Sequence, residues 1–330
     1  HEWEIFEVAD SVPFALMEAA ILQAAGIVPQ VPDLSACGPL VPAVEGQAVA
    51  RVDLGVLSEH FSAGNWEQPG IDRQLLRQHP APATTLYGQY RLSRTHIDNP
   101  AEPETFALQV EVHLLPGIDV LAPFTGVWHA DGANGGCLQG ERISVWLSGV
   151  EGTPGDGRTL EGGQILGQTG GHLRVQLCRV AGLRPPAFVV PSRAEAWRVL
   201  CPSPAVLLGF DCEAEPLSDA QALLQRRDAS FARSQKHYYE QPPQIERGWR
   251  NYLIDLQGRS YLDMLNNVAT LGHGHPRMVS EAARQWSLLN TNSRFHYAAI
   301  AEFSERLLAL APEGMDRVFL VNSGTEANDL

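Results

Sequence analysis

Arg317-Val318-Phe319-Leu320-Val321-Asn322-Ser323-Gly324-Thr325-Glu326-Ala327-Asn328-Asp329-Leu330 is the stretch around which the chain is organised. Val318 to Val321 is a short apolar run of the kind a buried strand makes, and Asn322 to Thr325 supply a polar turn into a helix start. Ser323 and Glu326 stand at capping-box spacing, so a hydroxyl and a carboxylate can satisfy orphan donors of the first helical turn. Gly324 has no Cβ and lets backbone N–H groups approach an anion, with the Thr325 hydroxyl beside them. Strand, glycine-bearing turn and helix N-terminus together make a phosphate cradle. Alone, Ser-Gly-Thr-Glu also spells an ordinary capped loop. The residues before it decide.

Trp249 to Met264 reads as a hairpin, Tyr252 to Leu256 and Ser260 to Met264 joined by a Gln257-Gly258 turn. Asn266-Asn267-Val268-Ala269 and Gly272-His273-Gly274-His275-Pro276 follow. The two histidines have no third ligand at a suitable spacing, so the second stretch reads as a backbone-shaping loop. Pro276 suits a first helical position, Met278 to Leu289 keeps an apolar face, Asn290 to His296 is a polar loop, and Ala299 to Leu310 is a second amphipathic helix.

This order of motifs, from about Arg247 to Leu330, resembles the class III pyridoxal-phosphate aminotransferases. Asn266 to Ala269, Leu289 to Phe295 and Asn328 to Leu330 look most like the branch that includes ethanolamine-phosphate phospho-lyases. The resemblance implies pyridoxal 5'-phosphate as cofactor, with Ser323, Gly324 and Thr325 holding its phosphate and Asn322 shaping the turn. It implies a small-molecule amine substrate and a homodimer in which the Asn290 to His296 loop serves a partner's site. Transamination is the reaction it implies first, and elimination of phosphate from a phosphorylated amine is the alternative. The family's Schiff-base lysine lies after the phosphate loop, whereas the one lysine here, Lys236, precedes it. The chain is therefore expected to be a fragment of a larger enzyme, without a catalytic residue of its own and inactive alone.

Thr105 to Cys178 has another character: short runs of period-two alternation separated by Gly, Pro, Asn and Asp. Phe106 to Leu115, Asp119 to Ala122, Gly126 to His129, Arg142 to Leu147 and Leu173 to Cys178 are the expected strands. Ala122 to Val127, Glu161 to Gly167 and His172 to Leu177 resemble the peptidase M23 (lysostaphin-type) fold. In that family a His and an Asp four apart and the second His of a His-x-His pair hold zinc. The pattern here puts Ala107 and Glu111 at the first two positions, and His172 then Arg174 at the pair. A guanidinium cannot ligate zinc, so no zinc is expected and His172 reads as a leftover polar residue. His96, His113 and His129 are the histidines near enough in sequence to stand in for the missing ligands. A zinc peptidase is the rival reading that Ala107 and Arg174 argue against, and a non-catalytic binding module is the reading that remains. Bacterial proteins in which a sugar-kinase-like domain, an M23-like domain and such an aminotransferase follow one another have the same order, so a kinase-like domain is expected before His1.

The fold expected is multidomain: an antiparallel β domain of M23 type, followed by the truncated start of an α/β fold type I aminotransferase domain. The segments are 1–104, an α+β connector; 105–184, the β domain; 185–246, a helical connector; and 247–330, the aminotransferase part. Helices are expected over Phe14 to Ala25, Ile71 to Gln78, Ser192 to Leu200 and Leu217 to His237, the last capped by Ser218, and a strand over Ala48 to Leu57. A formal charge of −14 argues against a nucleic-acid surface. No apolar run approaches the roughly 20 residues that span a bilayer. Five scattered cysteines, Cys37, Cys137, Cys178, Cys201 and Cys212, fit free thiols in a reducing cytoplasm.

Overall fold

The computed structural model describes residues 34–330 apart from 98, 100, 181–182, 233, 235–237, 266–269 and 292–293. The helix expected over Phe14 to Ala25, Lys236 and the Asn266 to Ala269 stretch lie outside the described residues. The chain divides into two compact units between His275 and Pro276.

The first unit carries β1 (Ala50–Val52), β2 (Ala83–Thr85), β3 (Phe106–Ala107), β4 (Val110–His113), β5 (Asp119–Leu121), β6 (Gly126–Ala130), β7 (Gly135–Gln139), β8 (Ser144–Glu151), β9 (Thr159–Leu160), β10 (Ile165–Cys178) and β11 (Phe188–Val189). Their main sheet runs β1-β2-β4-β10-β8-β7-β6-β9, with β5 also paired to β10. Only β1 and β2 run parallel within it. Strand β10 organises the sheet because it is long enough, at 14 residues, to pair with β4, β5 and β8. Leu173, Val175 and Leu177 alternate along it into a core shared with Val110, Val112, Trp128, Leu138, Val145 and Leu147. That period-two burial against an outward polar set fixes the register.

Several strand boundaries differ from the sequence reading: β1 covers only Ala50–Val52 of the strand expected over Ala48 to Leu57, β8 runs on to Glu151, and β10 begins at Ile165. Phe106 to Leu115 is not one strand: the Ala107 backbone bonds to Gly88 and Gln89, β3 pairs with β11, and pairing resumes at Val110 with β2 and β10. Strand β7 was not expected, because Gly135-Gly136 has the composition of a turn. It is a strand because it pairs with β6 and β8, and its glycine is required because a Cβ on Gly136 would stand 2.4 Å from the Trp128 ring of β6.

Helix α1 (Ile71–Gln78) matches its expected range and turns Ile71, Leu75 and Leu76 into a second core with Val52, Leu54, Phe61, Trp66, Trp249 and Ile254. Trp249 and Ile254 belong to the sheet β12 (Ile245–Trp249), β13 (Tyr252–Asp255) and β14 (Ser260–Leu262). The expected hairpin forms there, its turn held by the Asp255 carboxylate, which accepts from the N–H groups of Gln257 and Arg259 at 2.9 and 3.0 Å. Thr95 and Thr105 donate to the carbonyls of Gly258 and Gln257, and the Arg259 guanidinium reaches Glu102 at 2.6 Å. Helices α2 (Ala194–Leu200), α3 (Ala205–Leu208) and α4 (Ala220–Ser230) follow the β domain. The cap of α4 is Asp219, whose carboxylate accepts from Gln221 and Ala222 N–H. The expected cap, Ser218, donates to Gln244 instead.

The second unit contains α5 (Pro276–Leu288), α6 (Ala298–Leu308) and α7 (Gly324–Asp329). Its helices follow the predicted apolar periodicity, yet none of their residues is buried among the described residues. The strand expected over Val318 to Val321 is not formed: a strand exists through hydrogen bonds to a neighbour, and Phe319 and Leu320 are 78% and 55% exposed.

Candidate functional sites

In the second unit, the capping box read from Ser323 and Glu326 is present. The Ser323 hydroxyl accepts from Glu326 N–H at 3.2 Å, while the Glu326 carboxylate accepts from the N–H groups of Asn322 and Ser323 at 2.9 and 3.0 Å. These bonds leave the N–H groups of Gly324 and Thr325 without a protein acceptor among the described residues. A Cβ at Gly324 would meet nothing within 4 Å, so the face of the turn is open. Two free amides, the Thr325 hydroxyl and an open approach are the donor set that a phosphate monoester accepts from. The residues present fit the cofactor phosphate.

In the first unit, Glu111 and His172 come together on adjacent strands. His172 Nε2 lies 2.7 Å from Glu111 Oε2, and the Arg174 guanidinium lies 3.7 Å from Oε1. Burial on its own would raise the Glu111 pKa. The His172 hydrogen bond and the nearby charges of Arg91 and Arg174 outweigh it and bring the carboxyl down to about 2. Arg91 is buried and paired with Asp72 at 3.0 Å. Ala107 sits on β3 with its main chain bonded to Gly88 and Gln89. Of the substitute histidines, His113 faces His172 in the strand register and contacts the His79 carbonyl at 3.2 Å, while His129 is exposed on β6. Among the described residues no group of three or more His, Cys, Asp or Glu is placed to hold a metal ion.

Arg174 opens into a groove of about 1220 Å³. Its floor is the outward face of β10 and β8, with His172, Arg174 and Gln176 beside Trp146 and Ser148. One wall is the 183–190 segment, tied to the floor by Trp146 Nε1 donating to the Leu183 carbonyl at 3.1 Å and Gln176 Nε2 donating to the Pro186 carbonyl at 2.7 Å. The sequence reading missed this groove. Its lining comes from α1, β7, β8, β10 and the 183–190 segment, and no local motif joins them. The unusual Arg174 was the one signal that pointed to it.

The loop Gly272 to Pro276 shapes the backbone as its composition suggests. Gly272 and Gly274 take positive φ of 81° and 62°, and His273 is held by Asp263 at 2.9 Å.

Residues 234–330 match the protein family "Aminotransferase class-III". The chain is 38% identical over 116 residues to the alanine–glyoxylate aminotransferase 2-like protein of Drosophila melanogaster, covering 35% of this chain and 24% of that one. It is 32% identical over 131 residues to ethanolamine-phosphate phospho-lyase homolog 1 of Caenorhabditis elegans, covering 37% of this chain and 28% of that one. The chain thus spans about a quarter of the length of these relatives. Among solved structures, the catalytic domain of the peptidase lysostaphin from Staphylococcus simulans is similar at 18% identity and a TM-score of 0.25, over 36% of this chain and 92% of that domain. No helix among the described residues is long and apolar enough to cross a membrane.

Proposed function

We propose that residues 234–330 supply the phosphate-binding end of a pyridoxal 5'-phosphate enzyme that transfers an amino group from a small amine or amino acid. The observation that carries this reading is the turn at Ser323, whose capping box leaves the Gly324 and Thr325 amides and the Thr325 hydroxyl turned to an open face. When bound, pyridoxal 5'-phosphate supplies an electron sink for the pair left behind when a bond at the amine-bearing carbon breaks. The chain's own part is binding and orientation. Gly324 N–H, Thr325 N–H and the hydroxyls of Ser323 and Thr325 hold phosphate oxygens, and Asn322 sets the turn. Glu326 spends its charge on the Asn322 and Ser323 amides, which keeps the carboxylate engaged at the helix start. This reading assigns no catalytic lysine among the 330 residues, since Lys236 precedes the phosphate turn.

The similarity to a phospho-lyase homolog supports a second reaction for the same site, elimination of phosphate from a phosphorylated amine. The β domain then accompanies the enzyme as a metal-free module in which Ala107, Glu111, His172 and Arg174 replace a zinc set. A cytoplasmic setting suits five cysteines that form no disulfide, and a homodimer suits the family.

The test is a chimera in which residues 247–330 replace the matching stretch of the Drosophila relative, which supplies the rest of the domain. The chimera is expected to retain the cofactor through gel filtration and to transfer the amino group of alanine to glyoxylate. Phosphate release from ethanolamine phosphate without a keto acid would favour elimination. A folded chimera that loses the cofactor would overturn both.

A further inference from the structure

Cys178 and Cys201 are a pair of thiols that the proposed function leaves unused. Cys178 is the last residue of β10, and Cys201 caps the C-terminus of α2. Two bonds bring these ends together: Arg179 N–H donates to the Leu200 carbonyl at 2.8 Å, and the Arg179 guanidinium donates to the Val199 carbonyl at 3.4 Å. The Tyr87 hydroxyl donates to the Cys201 carbonyl and fixes the cap. Both sulfurs lie in one apolar core with Phe106, Leu108, Trp197 and Leu200. Within it the two thiols are hydrogen-bonded to each other.

The two sulfurs differ in character. The hydrogen bond from Cys201 brings the Cys178 thiol below its ordinary range, and Val180 N–H, 3.4 Å from the Cys178 sulfur, favours the thiolate as well. Burial pushes Cys201 well above that range, so it stays a neutral thiol. A thiolate beside a neutral thiol is the arrangement of an attacking and a resolving sulfur. Cys137 and Cys212 lack it, since burial raises both. Cys178 and Cys201 are themselves fully buried, yet α2 is only seven residues long and turns Glu195 and Arg198 to solvent. So short a helix opens locally at small cost, and an oxidant near the size of water needs no wider opening.

We propose that Cys178 and Cys201 form a redox switch, which hydrogen peroxide closes into a reversible disulfide that staples the end of β10 to the end of α2.

The step balances without a further reactant. The Cys178 thiolate takes one peroxide oxygen as the O–O bond breaks, giving a sulfenic acid and a hydroxide that the Cys178 proton converts to water. The Cys201 sulfur then attacks the sulfenic sulfur, the S–O bond breaks, and the departing hydroxyl leaves with the Cys201 proton as a second water. Two thiols lose two electrons and the peroxide gains them. The new bond closes the loop 179–200 and restricts the unfolded chain, so oxidation should raise stability.

The test treats the full chain with hydrogen peroxide, removes the excess with catalase, blocks the remaining thiols and maps the peptides without reduction. In the folded chain Cys178 is expected to be linked to Cys201, to be consumed at least about tenfold faster than Cys137 or Cys212, and to return to the thiol with dithiothreitol. Oxidation should raise the unfolding midpoint of wild type and leave that of C201A unchanged. In C201A, without a resolving thiol, Cys178 should accumulate more slowly as a sulfenic acid captured by dimedone, and in C178A Cys201 should be neither linked nor captured. Linkage of Cys178 to Cys137, a bond that forms only after denaturant is added, or both thiols intact once Cys37 is fully oxidised would each overturn the proposal. The wild-type map needs no variant to fold, and no readout involves the phosphate turn, so this proposal and the proposed function fail separately.

Discussion

His172 and Glu111 meet diagonally across two strands: the register sets His172 opposite His113 and Arg174 opposite Glu111, yet it is His172 Nε2 that reaches Glu111 Oε2 at 2.7 Å. Diagonal contacts of this kind are available to long side chains on one face of a twisted sheet. The result is a buried carboxylate whose partners are a ring nitrogen and a guanidinium.

That geometry makes a pH prediction. The Glu111 carboxyl titrates near 2 in the folded chain against an ordinary 4.5, so it binds fewer protons folded than unfolded in that interval. Its contribution is present above pH 4.5 and is lost as the pH falls towards 2, with a size on the order of 2–3 kcal/mol. Denaturant unfolding of wild type and Glu111→Gln between pH 2 and 6 should show their difference growing with pH up to about 4.5 and then levelling. A pH-independent difference would show that the carboxylate is not held in its ionised form.

Arg247 joins the hairpin to the first core. Its guanidinium donates to the carbonyls of Val56, Ser58 and Phe61 at 2.6, 3.0 and 3.0 Å. An ammonium on a flexible stem cannot reproduce that planar fork. Arg247→Lys should lower the unfolding free energy by about 1–3 kcal/mol, measured by denaturant titration, and an unchanged midpoint would show that the three bonds are not jointly formed in solution.

The cysteines should separate by reactivity. Burial pushes the Cys137 thiol up to about 11 and the Cys212 thiol up to about 12, whereas Cys37 is only partly buried. Thiolate is the reacting form. Iodoacetamide at neutral pH followed by peptide mass spectrometry should label Cys37 first and leave Cys137 and Cys212 unmodified until denaturant is added.

Much of this architecture is legible in the residues, and the failures have physical causes. Helix α1, the hairpin and the capping box follow from patterns that are complete within about ten residues of sequence. Strand β7 was missed because the demand for glycine at Gly136 comes from the Trp128 ring of another strand. The 318–321 strand was expected because an apolar run carries no statement of its partner, and pairing is what makes a strand. At the candidate sites, Ser323 and Glu326 announced their bond through spacing. The Glu111–His172 contact lies 61 positions apart in sequence, and the resemblance aligned both residues without indicating that they would bind one another.

Removing the cap should be felt locally. Ser323→Ala should cost about 1 kcal/mol of helix stability and fray α7, seen as loss of helical carbon chemical shifts over residues 324–329. Ser323→Thr should keep them. Retained helical shifts in the alanine variant would mean that the hydroxyl does not cap.

The central claim, a phosphate cradle at Ser323 to Thr325, is tested most directly by titrating the labelled chain with pyridoxal 5'-phosphate and, separately, with pyridoxal, while following the amide signals of Gly324 and Thr325. The account predicts saturable shifts at these two amides with the phosphorylated compound and none with pyridoxal. Equal shifts with both compounds, or no movement of either amide, would contradict it.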